Sequence, residues 1–176
     1  MKKLLTSIIA IVFALNLSAY AEEKLTIEKQ LVGIVGAISG TVKTETRELK
    51  AGDKIYLNET IYAGVGAGTQ ILLLDQSTFT IGEDSEVVMD TFVFDPETND
   101  GKIVASVKQG SLKVISGLIS KKNPDSLTVE VPEGTLGSRG TEFQTIVSRG
   151  KTDTLLIGPG KNNTLGMRPG AVLVGN

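Results

Sequence analysis

The sequence predicts an all-β domain, on three observations. Short apolar-alternating runs are broken by glycine about every eight to twelve residues, the spacing of strands and turns. Past residue 27 no stretch carries a convincing amphipathic helical period. The composition, 40% apolar and 22% charged over 176 residues, is that of an ordinary globular chain rather than a disordered one.

The elements follow in order. "QLVGIVGAISGTVKTET" opens the domain, with Val32, Ile34 and Val35 as its apolar set. Gly33, Gly36 and Gly40 interrupt it, marking a bulge, a bend or a close backbone approach. In "RELKAGDKIYLNETIYAG", Ala51-Gly52-Asp53 reads as a turn, and Ile55, Leu57 and Ile61 point inward. The run Ile71 to Leu74 stops at Asp75-Gln76-Ser77, after which Phe79 and Ile81 alternate with Thr78 and Thr80, so a β-hairpin turns at 75–77. A further strand covers Glu86 to Phe94, where Val87, Met89, Phe92 and Phe94 form the apolar set. "DPETNDGK" is a polar turn. "IVASVKQGSLKVISG" reads as two strands joined at Gln109-Gly110. "LISKKNPDS" has room for one short helical turn, and "LTVEVPEG" is a strand whose end Pro132 places at a sheet edge or turn. "TEFQTIVSRGKTDTLLIG" is a strand pair around Arg149-Gly150, and the glycine- and proline-rich tail closes the fold with one or two short strands.

The N-terminus stands apart. Lys2 and Lys3 precede an apolar run that ends in Ala19-Tyr20-Ala21, the layout of a secretory signal peptide cleaved after residue 21. An uncleaved anchor helix is the alternative, weakened by Thr6, Ser7, Asn16 and Ser18. Either way, the chain after Ala21 lies outside the cytoplasm.

Composition excludes several functions. Removing residues 1–21 takes two lysines and no acid, so the net charge moves from −2 to −4. Such a chain, with no basic run longer than Lys121-Lys122, is a poor nucleic-acid ligand. It has no cysteine and no histidine. Disulfides, a lipid-modified cysteine, zinc-histidine sites and Ser-His or Cys-His catalysis are all excluded. The core must hold the fold alone, which ~150 residues can do.

Four stretches carry candidate chemistry. Asp95, Glu97, Asn99 and Asp100 place four oxygen-bearing side chains in six residues, a density that suits calcium. An EF-hand has glycine at its sixth loop position and glutamate at its twelfth; here Gly101 is seventh and Ser106 twelfth, so a solvated hairpin loop is the preferred reading. Glu83, Asp84 and Glu86, and more loosely Asp53 and Glu59, read as acidic turns. A glycosidase pair must face across ~5–9 Å, and this chain, with no tryptophan, lacks the usual sugar platforms. Ser120-Lys121-Lys122 has the wrong spacing for a Ser-Lys nucleophile. Lastly, "GTLGSRGTEF" could form an anion nest around Arg139. The structural alternative is preferred: Arg139 partly buried in a tight turn and bonded to carbonyls, Gly137 and Gly140 in conformations closed to other residues, and Phe143 in the core.

These motifs together resemble the FecR-type domain. "GSRGTEF" following "VPEG" is similar to that family's glycine-arginine-glycine-threonine signature, carried here by Pro132, Gly137, Arg139, Gly140, Thr141 and Phe143. "LKAGDKIYLNETIYAGVGAGTQILLLDQSTFTIGEDSEVVMDTFVF" resembles the segment that precedes it in the family, and the likeness covers residues 31–147. Gln76 stands where members usually have glycine, Ala63 where threonine often precedes a glycine, and Glu133 where a small residue is common. The resemblance implies a periplasmic all-β domain of short strands, solenoid-like or a twisted sandwich, that signals by contact. The founding members sense an outer-membrane receptor and act on a sigma factor through a cytoplasmic part, for which this sequence has no counterpart.

The resulting expectation has four segments: a signal peptide at 1–21, a lead-in at 22–30, the FecR-type domain at 31–147, and closing strands of the same domain at 148–176. The expected role is a non-catalytic periplasmic or envelope domain working through protein contacts, signalling or scaffolding. It needs no cofactor, its partner is another envelope protein, and self-association is open. A small-ligand or glycan-binding envelope module, or a self-assembling surface or matrix component, is the alternative.

Overall fold

The computed structural model describes residues 29–158 and 170–175. The expected signal peptide at 1–21, most of the expected lead-in at 22–30 and part of the glycine-rich tail lie outside the described residues.

Among the described residues, thirteen strands and one short helix follow one another. β1 (Leu31–Ser39), β2 (Val42–Lys43), β3 (Lys54–Tyr56), β4 (Thr60–Ala63), β5 (Gly68–Leu73) and β6 (Thr78–Ile81) are short. β7 (Ser85–Phe94) and β8 (Gly101–Ile115) are long. α1 (Leu118–Lys122) leads to β9 (Leu127–Val131), β10 (Gly134–Arg139), β11 (Glu142–Ser148), β12 (Lys151–Gly158) and β13 (Ala171–Gly175). The strands form a single curled sheet, a half-barrel folded onto its own core. All pairings are antiparallel except β8 with β9. The architecture is therefore the twisted, sandwich-like alternative. A solenoid would stack parallel coils.

β8 makes the curl. Its first half pairs with β7 and β9, and its second half with β6 and β11. The sequence reads Gln109-Gly110 as a turn between two strands; the structure corrects this to one bent strand. Gly110 takes φ +85, and a Cβ there would lie 2.4 Å from Ser85 Cα and 2.6 Å from the Asp84 carbonyl oxygen. Glycine after a polar residue gives the same local signal for a reversal and for a bend between two faces. The residues from Ile103 to Val107 are all buried, as befits the strand shared by both halves.

Alternation decides which residues meet in the core. Thr69, Ile71 and Leu73 point inward from β5, and Phe79 and Ile81 from β6. β7 buries Val87 and Met89, and a register shift between Met89 and Thr91 then turns Phe92 inward. β1 shifts register between Leu31 and Gly33 and between Val35 and Ala37. Val32 and Val35 are thereby both buried, and Ile34, the third of that apolar set, faces out at the β1–β5 pair opposite Leu72. The bulge reverses strict alternation, which the interrupting glycines permit. Ile55, Ile61, Leu112, Val114, Leu127, Val129 and Phe143 complete the centre.

The hairpin at 75–77 forms as expected, with Gln76 at φ +67. Glycine would enter that left-handed conformation more freely. The short helical turn is α1, inside the crossover that makes β9 parallel to β8. The strand pair around Arg149-Gly150 is β11–β12, and β13 closes the far end on β10.

Candidate functional site

The signature motif sits where the β5–β6 hairpin, α1 and the β10–β11 connection meet. Asp75 is fully buried there. Its carboxylate accepts the Ser77 amide at 3.0 Å and the Ser77 hydroxyl at 2.8 Å. Ser77 Oγ accepts the Gly117 amide at 2.9 Å, and the Asp75 carbonyl accepts the Leu118 amide at 2.8 Å. The hairpin turn thus seats the start of α1. The approach is close enough to require glycine: a Cβ on Gly117 would lie 2.3 Å from backbone atoms of Asp75 and Ser77.

Hydroxyls carry the network onward. Ser116 Oγ lies 2.8 Å from Ser138 Oγ, donates to the Thr141 carbonyl at 2.8 Å and accepts the Thr141 amide at 3.3 Å. Ser120 Oγ donates to the Ser138 carbonyl at 3.0 Å and accepts the Gly140 amide at 3.2 Å. Thr141 Oγ1 donates to the Gly158 carbonyl at 2.6 Å and so ties the end of β12. Among the described residues no buried side-chain polar atom lacks a partner, as a low-dielectric interior demands.

Each signature residue now has a place. Pro132 stands in the turn between β9 and β10. Phe143 is fully buried. Gly140 bends the chain at φ +58, whereas Gly137 lies in the extended strand β10. Arg139 is the main correction. It is not partly buried against carbonyls; its side chain is 48% exposed and grips Asp125, with Nε–Oδ1 2.9 Å and Nη2–Oδ2 3.1 Å. The reason is alternation: Leu136 and Ser138 point inward from β10, so Gly137 and Arg139 point out. The hydrogen bond from Arg139, and then its charge, hold the Asp125 carboxyl below the usual carboxylate range. A carboxylate of the chain itself takes the guanidinium.

The acidic loop is also engaged internally. Asp95 accepts the Glu97 amide at 2.9 Å and the Thr98 hydroxyl at 2.8 Å, and the latter bond lowers its pKa first. Asp100 pairs with Lys122 at 2.8 Å and accepts from Asn123 at 2.7 Å. These bonds, Lys122 first, lower its pKa too. Asn99 occupies a left-handed turn position at φ +60. No cage of converging oxygens results, and among the described residues no group of three or more acidic side chains is placed to hold a metal ion. The loop fastens α1 to β8 instead.

The remaining carboxylates stay in local structure. Asp53 accepts the Lys50 amide at 2.8 Å, and Glu83 the Gly66 amide at 2.7 Å. Glu59, buried, accepts the Tyr56 amide and pairs with Arg47 at 3.1 Å and Lys29 at 3.7 Å.

Sequence reasoning missed the exposed apolar edges. β12 pairs only with β11, and β13 only with β10, among the described residues. Leu155 is 64% exposed, with Leu156 and Ile157 beside it; Leu173 and Val174 are exposed on β13. Leu156 lies opposite buried Phe143, so the core face runs out into solvent at β12. "TLLIG" signals a strand, but local sequence does not say that the strand is an edge.

The fold and this corner define a β-domain whose buried polar groups hold its own chain together and whose outer strands carry apolar side chains. The chain belongs to the FecR family: the model of the FecR protein matches residues 59–157, more than half of its length. That match takes in the 75–77 hairpin, the acidic loop, the signature motif and β12 up to Ile157. The family is one of signalling-related envelope regulators and not of enzymes. No curated protein and no solved structure matches the chain. No helix among the described residues is long and apolar enough to cross a membrane.

Proposed function

We propose that the chain, freed of residues 1–21, is a non-catalytic periplasmic domain that works by binding another envelope protein. The observation that carries this reading is the pair of apolar outer strands, β12 and β13, on a domain whose buried polar groups are satisfied internally. Edge strands with apolar side chains and free backbone groups are ready acceptors for an added strand, and natural domains rarely leave them bare without use. Signalling or scaffolding then follows from which protein is bound. Residues 31–158 and the β13 segment act as one contact module, and the signature corner supports it from below.

The test is chemical crosslinking in intact cells, followed by purification of the chain and mass spectrometry of its adducts. The expected result is one envelope protein recovered in good yield. Recovery of the chain only with copies of itself would overturn the hetero-contact reading and favour self-assembly.

A further inference from the structure

The sheet face turned away from the core carries one apolar row. Successive registers place Lys54, Ile34, Leu72, Thr78, Ile115 and Glu142 directly opposite one another across β3, β1, β5, β6, β8 and β11. Directly opposed residues share a face. Ile71, Phe79, Val114 and Phe143, next to them in the chain, are buried, so the row itself points to solvent. Ile34, Leu72 and Ile115 are 41%, 40% and 41% exposed, and only Thr78 stands between them. Leu74, two residues beyond Leu72, is exposed as well. Apolar side chains scattered singly over a surface need no cause, but a contiguous group does.

Charge closes the row at both ends. Lys54 is exposed, and its ammonium has no ion pair among the described residues. Glu142 meets Lys113 of its own chain at 2.6 Å, which orients the carboxylate but leaves its side chain 32% exposed. Turned end for end, the row complements itself. Lys54 then meets Glu142, Ile34 meets Ile115, and Leu72 meets the methyl group of Thr78. Self-complementarity of this kind is the condition for a two-fold contact between identical chains.

From this order we infer that the row packs against the same row of a second copy of the chain, about a two-fold axis that runs along the strands between β5 and β6. An axis across the strands would instead set Lys54 on Lys54 and Glu142 on Glu142, and like charges oppose it. The row crosses six strands at about 4.8 Å each, roughly 24 Å from end to end. A standard interface covers about 800 Å² of each partner, a patch roughly 28 Å wide, so the row spans most of one. β12 lies beyond Glu142, and its unpaired backbone edge stays outside the contact. The inference therefore does not depend on the contact function proposed above: pairing presents that edge twice and does not cover it.

Sedimentation velocity of the chain expressed from its full sequence tests the pairing. A dimer fraction that rises with concentration is expected. Ile34→Lys with Ile115→Lys sets like charges against each other across the axis and should raise the dissociation constant at least about tenfold. The melting temperature should hold, because a lysine stem covers the same strand surface while its ammonium stays in water. Lys54→Glu should also weaken the dimer, and Lys54→Glu with Glu142→Lys should restore it. A monomer at every concentration, or a dimer indifferent to these changes, would overturn the inference. A dimer lost in Leu155→Lys with Ile157→Lys but kept in the Ile34 and Ile115 variant would join the copies edge to edge and sink it equally. The register has its own test, since the chain has no cysteine. Chains carrying Ile34→Cys and chains carrying Ile115→Cys are mixed and treated with a short bifunctional maleimide. Unlike chains should be joined at least about tenfold more than like chains. Equal yields from like and unlike pairs would rule out the two-fold arrangement.

Discussion

At the scale of single residues, exposure separates the side chains that hold the corner from the one that draws attention in the sequence. Ser116→Ala removes the acceptor of the Thr141 amide inside a buried network and should destabilise the domain by about 1–3 kcal/mol. Arg139→Ala removes an ion pair in which both side chains are half in water, and its melting temperature should stay close to that of the parent at physiological salt. The same pair predicts a weak acid dependence. Because Asp125 has a lower pKa when folded, its contribution is present above the unfolded carboxylate value, about 4, and is lost as pH falls through the folded one. Thermal melts of parent and Arg139→Ala between pH 7 and 2 should converge at the acid end. An Arg139→Ala loss as large as that of Ser116→Ala would show that the exposed geometry is wrong. Phe143 was legible as core from its place after the glycine-rich stretch. Arg139 reads as buried only if that stretch is a tight turn. Once it is read as a strand, Leu136 and Ser138 inward put Arg139 outward by period two.

At the scale of elements, β8 decides the topology. Its hydrophobic pattern was visible on both sides of Gly110, as was the chain of short strands, their hairpins at 75–77 and 149–150, and the short helix before Asn123-Pro124. What could not be read was that Gly110 bends a strand rather than reversing it, because the distinction depends on partners distant in sequence: β7 and β9 before the bend, β6 and β11 after it. The burial of Asp75 was hidden for the same reason, since its partner backbone at Leu118 and Ile119 lies about forty residues on. Gly110→Ala tests the bend. The added Cβ meets Ser85 and Asp84 backbone at 2.4–2.6 Å in a left-handed conformation, so both packing and backbone oppose it. A loss of about 2–4 kcal/mol in urea melts is expected, at the upper end of single-residue effects. If Gln109-Gly110 were an open turn, Ala would cost only the backbone share, about 1–2 kcal/mol.

At the scale of the whole molecule, the domain is closed by its core yet left open at two strands, and stability and contact should therefore be separable. Leu155 and Ile157 are both exposed on β12 and bury little, so Leu155→Lys with Ile157→Lys should leave the melting temperature near that of the parent. The same change puts two charges along an edge strand, where lysine blocks strand addition. Crosslinking to the partner in cells should fall at least about tenfold. A matched control exists on the same half of the sheet: Ile34 and Leu72 are directly opposed, similarly exposed, and far along the strand order from β12. Ile34→Lys with Leu72→Glu keeps opposite charges face to face, which an antiparallel pair tolerates. Loss of crosslinking in the β12 variant alone assigns the contact to that edge. Equal loss in both variants would mean that the whole outer face, rather than its β12 end, meets the partner, and retention in the β12 variant would move the contact to β13 at the other end of the sheet.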